Sequence, residues 1–136
     1  MPALPVADRL ERTRPDRPIV LVVEDDTVIA DVIAEMLDGS GYVVERAATA
    51  AEARRKIGQS RLALVVLDLI LPDLDGLMLC SDIRRGTDVP IIVVSGTHRK
   101  GDAVLSLRLG ADDFVPKPFD VAELEARIQT VLRRGA

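Results

Sequence analysis

Residues 19–26 read Ile19-Val20-Leu21-Val22-Val23-Glu24-Asp25-Asp26. Five apolar residues, four of them β-branched, run directly into three carboxylates. A run this short and this rich in Val and Ile reads as a strand buried on both faces, the kind found in parallel sheets covered by helices. No cap or 3.6-residue period supports a helix here. The acids then fall just past the strand's C-terminal end, where open α/β sheets place their ligands. Three neighbouring carboxylates repel one another unless something positive neutralises them. A divalent cation is the expectation.

The same pattern recurs downstream. Leu64 to Leu67 is a second buried run closed by an acid, Asp68, and Ile91 to Val94 is a third, ending in Ser95-Gly96. Val43 to Ala47 and the short Phe114-Val115, followed by Pro116-Lys117-Pro118, complete five strand candidates. Helical patterns separate them. Val28, Ile29, Val32, Ile33, Met36 and Leu37 form a stripe ended by Gly39-Ser40-Gly41. Thr49-Ala50-Ala51-Glu52 matches a capping box for a helix reaching about Ile57. Leu77 to Arg85 carries Leu79 and Ile83 inward beside Cys80, and 98–109 is a helix with no clean apolar stripe, stopped by Gly110. Asp120 caps a last helix with Leu124, Ile128, Val131 and Leu132 inward. Alternation of this kind predicts an α/β fold, (βα)5, around a parallel sheet.

At 136 residues the chain is expected to form one domain over 18–136, after a mobile, proline-bearing extension over 1–17. That extension has no apolar h-region, and only Val6 to Arg12 reads as a turn or two of helix. Apolar residues make up 48 % of the chain and charged ones 29 %, a globular balance. A net charge of −4 argues against nucleic acid, and three aromatics (Tyr42, Phe114, Phe119) offer no base-stacking surface. The single Cys80 reads as buried and inert and fits a reducing cytoplasm. No apolar run approaches 18 residues, so no membrane span is expected.

Glu24, Asp25, Asp68, Ser95 and Lys117 share one property: each lies at or just beyond the end of a strand candidate. In a doubly wound sheet those ends converge on one crevice. Three acids suit a hard cation with oxygen ligands, such as Mg²⁺. With a lysine and a hydroxyl added, they suggest phosphoryl chemistry with a carboxylate nucleophile. Asp26 reads as the weaker third acid, with a local or supporting role rather than direct ligation of the cation. His98 is a surface residue with no second ligand nearby, and Tyr42 packs at a helix–strand corner.

The strings Leu21-Val22-Val23-Glu24-Asp25-Asp26, Val66-Leu67-Asp68-Leu69-Ile70-Leu71-Pro72-Asp73-Leu74-Asp75-Gly76, Pro90-Ile91-Ile92-Val93-Val94-Ser95-Gly96 and Gly110-Ala111-Asp112-Asp113-Phe114-Val115-Pro116-Lys117-Pro118-Phe119 resemble, in order, those of bacterial response-regulator receiver domains. The likeness covers roughly Pro18 to Arg134. It implies a flavodoxin-like sheet ordered 2-1-3-4-5. It also implies that Asp68 accepts a phosphoryl group from the phosphohistidine of a sensor histidine kinase or phosphotransfer protein. Glu24, Asp25, Asp68 and the Ile70 backbone carbonyl would then hold Mg²⁺. Ser95 and Lys117 would bind the phosphoryl oxygens, and the Lys117–Pro118 bond would be cis. Ser95 and Phe114 would switch the face made by the fourth helix, fifth strand and fifth helix. Ile70 and Thr97, beside the site, would affect the phosphoryl lifetime. Such a domain turns over only its own phosphoryl group and is not an enzyme in the wider sense.

The last third resembles receivers of winged-helix transcription regulators, whose homodimer pairs a basic residue in the fourth helix with an acid in the fifth. Glu123 and Arg127 fit the fifth helix and Asp112 and Asp113 the strand entry. Ala103 stands at the basic position and Arg108 where an acid is usual, so that pairing lacks its residues here. The receiver is expected to be part of, or cut from, a transcriptional response regulator, the alternative being a stand-alone receiver that acts by protein–protein contact. Two other classes compete. An aspartyl-nucleophile phosphatase wants an acid two residues after its nucleophile, where this chain has Ile70. A flavodoxin-type nucleotide binder wants a first loop rich in Gly, Ser and Thr, where three acids would repel phosphate.

Overall fold

The computed structural model describes residues 17–59, 61–97 and 99–134. The Val6 to Arg12 expectation and His98 therefore lie outside the described residues. Five strands are present: β1 (Ile19–Val23), β2 (Val43–Ala47), β3 (Leu64–Leu67), β4 (Ile91–Ser95) and β5 (Asp113–Pro116). Between and after them come α1 (Thr27–Gly39), α2 (Ala50–Gln59), α3 (Gly76–Gly86), α4 (Asp102–Arg108) and α5 (Val121–Arg134). The sheet is wholly parallel in the order β2-β1-β3-β4-β5, as expected.

Alternate residues of each strand feed opposite faces. Leu21, Val23, Val65, Leu67, Ile91 and Val93 pack with Ala50 and Ala53 of α2 and Leu79, Cys80 and Ile83 of α3. Val20, Val22, Val66, Ile92, Val94 and Val115 pack with Ile33 and Leu37 of α1 and Leu124, Ile128 and Val131 of α5. A fully buried Val, Leu or Ile contributes about 1.5–3 kcal/mol, so these two layers drive the fold.

The first helix is turned relative to the sequence stripe. Ala30, Ile33 and Leu37 are its buried residues, whereas Val28 is 70 % exposed and Val32 points outward. Asp26 fixes the first turn, its Oδ1 accepting from Val28 N (2.9 Å) and Ile29 N (3.2 Å). The fourth helix is shorter than expected, beginning at Asp102 rather than 98. Its inward residues are Asp102 and Ser106, and Val104, Leu105 and Leu107 face solvent. That is why no apolar stripe was legible there. Gly110 ends it at φ +126°, backbone that only glycine adopts freely.

Helix capping also differs from the local prediction. Thr49 Oγ1 accepts from Glu52 N at 3.1 Å, but Glu52 reaches back to Ala48 N (2.8 Å). The N–H groups of Ala50 and Ala51 are taken instead by Asp73, from the β3–α3 loop, at 2.8 and 3.0 Å. Asp75 caps α3 through Leu77 N, and Asp120 caps α5 through Ala122 N and Glu123 N.

Candidate functional site

Backbone pairing delivers the site residues to one edge. Val23 sits in register with Ala47 and Leu67, and Leu67 with Val93. One residue further on, Glu24 N donates to Ala47 O (2.9 Å) and Asp68 N to Val23 O (3.0 Å). Lys117 N donates to Ser95 O (3.0 Å), across the last strand pair. The strands thus end together, and their next side chains share the crevice that the sequence predicted.

Glu24, Asp25 and Asp68 each offer a carboxylate oxygen, and these oxygens lie within 4.8 Å of one another. Glu24 and Asp68 are buried and Asp25 is exposed. Lys117 Nζ bridges the buried pair, 2.5 Å from Glu24 Oε1 and 3.0 Å from Asp68 Oδ2. Ser95 Oγ, fully buried, donates to Asp68 Oδ1 at 3.0 Å, and Ile70 N donates to the same oxygen at 3.1 Å. Asp68 therefore holds a hydroxyl and an amide on one oxygen and an ammonium on the other. Asp26 caps α1 and also donates its N–H to Glu24 Oε2 at 3.2 Å.

The electrostatics follow from burial. Loss of solvent pushes the Glu24 carboxyl up to about 7, Lys117 opposing the rise and Asp68 adding to it. Burial works against charge on Lys117 as well, but its bonds to Glu24 and Asp68 outweigh that and hold its ammonium above the usual lysine range. One monovalent ammonium thus only partly compensates three carboxylates. A donor set of clustered carboxylate oxygens suits a hard divalent cation, so the residues present fit Mg²⁺.

Phe114 is half-buried opposite Val93 and packs on the α2–α3 side of the sheet. The Ile70 side chain is exposed, and its backbone pairs with Asp75. Lys117–Pro118 is cis. Cys80 is buried, and that burial pushes its thiol up, as an inert core cysteine requires. Tyr42 packs against the α1–α5 layer. Arg127 is tied within its own chain to Asp113 (3.0 Å) and Glu123 (3.1 Å), and Ala103 is half-buried.

Two features escaped sequence reasoning. Thr97 donates to the buried Asp102 (2.7 Å), which also accepts from Arg99, itself paired with Asp75. Asp73 bonds α2, 22 and 23 residues away along the chain. The Asp73 partners lie too far along the chain for a local motif to reveal them.

A sequence profile of the response regulator receiver domain matches residues 20–129. This chain is a member of that family. Among curated relatives, it is 43 % identical over 115 residues to the "Probable transcriptional regulator ycf27" of Guillardia theta, covering 85 % of this chain and 45 % of that one. It is 39 % identical over 117 residues to the "Transcriptional regulatory protein CpxR homolog" of Haemophilus influenzae, covering 86 % and 51 %. The receiver thus spans about half the length of the curated relatives it matches. Among solved structures, a CheY-like receiver domain protein from Methanospirillum hungatei superposes with a TM-score of 0.83 at 33 % identity, covering 88 % of this chain and 96 % of that one. The receiver is related to transcriptional regulators and has their receiver fold. Among the described residues no helix is long and apolar enough to cross a membrane.

Proposed function

We propose that this receiver, over residues 18–136, is the phosphoacceptor of a cytoplasmic two-component pathway. Asp68 is the acceptor, and a phosphohistidine on a sensor kinase or phosphotransfer protein is the donor. The observation that carries the reading is Lys117 Nζ bonded to both Glu24 and Asp68 while Ser95 Oγ holds the other oxygen of Asp68. An attacking carboxylate, a cation for phosphoryl oxygens and a hydroxyl donor stand together in one pocket.

A carboxylate oxygen of Asp68 attacks phosphorus in line as the P–N bond breaks, and the imidazole leaves with the electron pair. Lys117 exchanges its carboxylate contacts for a phosphoryl oxygen, and Ser95 donates to another. Glu24, Asp25, Asp68 and the Ile70 carbonyl would hold Mg²⁺, which when bound supplies charge neutralisation for the phosphoryl oxygens. Exposed Val28 and Val121 lie in an apolar depression that also includes Lys117, a surface a protein donor would cover.

Ser95, drawn to a new phosphoryl group, makes room that Phe114 can enter, and this moves the α4-β5-α5 face. The shift can be no larger than the phosphoryl group's differential binding to the two states. A homodimer through that face would need contacts other than the family's charge pair, because Ala103 carries no charge and Arg127 is already engaged within its chain. Nothing in the site supplies a phosphatase's acid at Ile70, and the receiver itself contacts no nucleic acid. The test is labelling by acetyl phosphate with Mg²⁺. Wild type takes up one phosphoryl group and Asp68→Asn none; uptake by Asp68→Asn refutes the reading.

A further inference from the structure

The metal site just proposed is made of two halves from different strands. Glu24 and Asp25 follow β1, and Asp68 and Ile70 follow β3. The strands are hydrogen-bonded as far as Asp68 N to Val23 O, and beyond that point the β3–α3 loop must find its own supports.

It has three. Gly76 N donates to Leu69 O at 2.8 Å, and Ile70 pairs with Asp75 in an isolated antiparallel bridge. These two close residues 70–75 into a small ring with Ile70 at its base. The third support is at the tip of the ring, where both carboxylate oxygens of Asp73 accept from consecutive amides of the first turn of α2, Ala50 N and Ala51 N. Bonds from two backbone amides at a helix N-terminus to one carboxylate are charge-assisted and favoured by the helix dipole. They hold the Asp73 carboxyl below the usual carboxylate range.

The end of β2 anchors the other half as well, since Ala47 O accepts the N–H of Glu24 at 2.9 Å, three residues before Ala50. The β2–α2 corner therefore braces both halves: Glu24 directly, and Ile70 through Asp73. We propose that Asp73 is a positioning residue of the metal site, clamping the loop that carries the Ile70 carbonyl to the α2 N-terminus so that both halves are held at the spacing Mg²⁺ needs. This rests on the reading of Glu24, Asp25, Asp68 and Ile70 as that site. By linkage the coupling is reciprocal, and bound Mg²⁺ steadies the first turn of α2.

Calorimetric titration of MgCl₂ into wild type, Asp73→Ala and Asp73→Asn tests it, each variant first shown to be folded by circular dichroism. Groups that hold metal ligands in place typically affect affinity about 10- to 100-fold, and a loss of about tenfold is expected for Asp73→Ala. An Asn carboxamide keeps one acceptor oxygen where Asp73 uses two, so Asp73→Asn should fall between Asp73→Ala and wild type. Both variants delete the same charge, so a purely coulombic effect would weaken them equally and overturn the proposal. An unchanged Kd in Asp73→Ala would overturn it too. Amide exchange at Ala50 and Ala51 in the wild type provides a second measurement that needs no variant. Mg²⁺ should slow both amides, and exchange indifferent to Mg²⁺ refutes the clamp. A wild type that binds no Mg²⁺ refutes the metal site itself, and the clamp with it.

Discussion

Gly76→Ala should damage this receiver out of proportion to the one carbon it adds. Gly76 opens α3 directly against the loop that leaves β3. A Cβ there would lie 2.4 Å from Leu69 Cα, 2.6 Å from Asp68 O and 2.8 Å from Leu69 C. Carbon atoms in contact sit about 3.5–4.0 Å apart, so helix and loop must separate by roughly 1 Å. All three obstacles are backbone, and no side chain can rotate away. Overpacking costs about 1–3 kcal/mol where the neighbours are side chains, and the upper end, about 3 kcal/mol, is expected here. The separation would also strain the bond from Gly76 N to Leu69 O. Gly58 is the control: it is helical and a Cβ there meets nothing within 4 Å, so Gly58→Ala should gain up to about 0.5–1 kcal/mol from helix propensity. Urea titrations of both variants give the difference in free energy, and thermal unfolding should show a fall of about 10 °C in Tm for Gly76→Ala. The two variants matching in stability would refute the reasoning, because the close approach of α3 to β3 would then not exist.

Asp73 and Lys117 give two further predictions. The folded-state pKa of Asp73 is lowered, chiefly by its bonds to the Ala50 and Ala51 amides, so its stabilisation is present above the ordinary carboxylate range and is lost as pH falls through the lowered value. The stability gap between wild type and Asp73→Asn, followed by urea titration at a series of pH values, should therefore close on acidification; a gap that widens would contradict the sign. Lys117→Gln should tighten Mg²⁺ binding in calorimetry, because the ammonium on Glu24 and Asp68 competes with the ion for the same oxygens, while acetyl phosphate labelling slows. Weaker Mg²⁺ binding in that variant would mean that the lysine organises the carboxylates more than it competes for them.

Much of this receiver is written locally. Apolar runs such as Ile19–Val23 and Leu64–Leu67 have one stable home, a sheet covered on both faces, and their order with the helical stretches determines a parallel (βα)5. The identity of Glu24, Asp25, Asp68, Ser95 and Lys117 as strand-end residues follows from the same runs, because a strand's length sets which side chain comes next. Tertiary structure decided whatever depends on partners distant in sequence. The 28–37 stripe counted Val28 and Val32 among its inward residues, and only docking on the sheet buried Ala30 in their place. Residues 99–101 lie outside α4, whose inward residues are Asp102 and Ser106. Asp73 found its amides 22 and 23 positions away, and Lys117 its carboxylates 49 and 93 away. Periodicity and capping act over a few residues, so a chain can announce its elements by itself. Which charged groups meet, and at what distance, is settled only when the sheet closes and takes them out of water together.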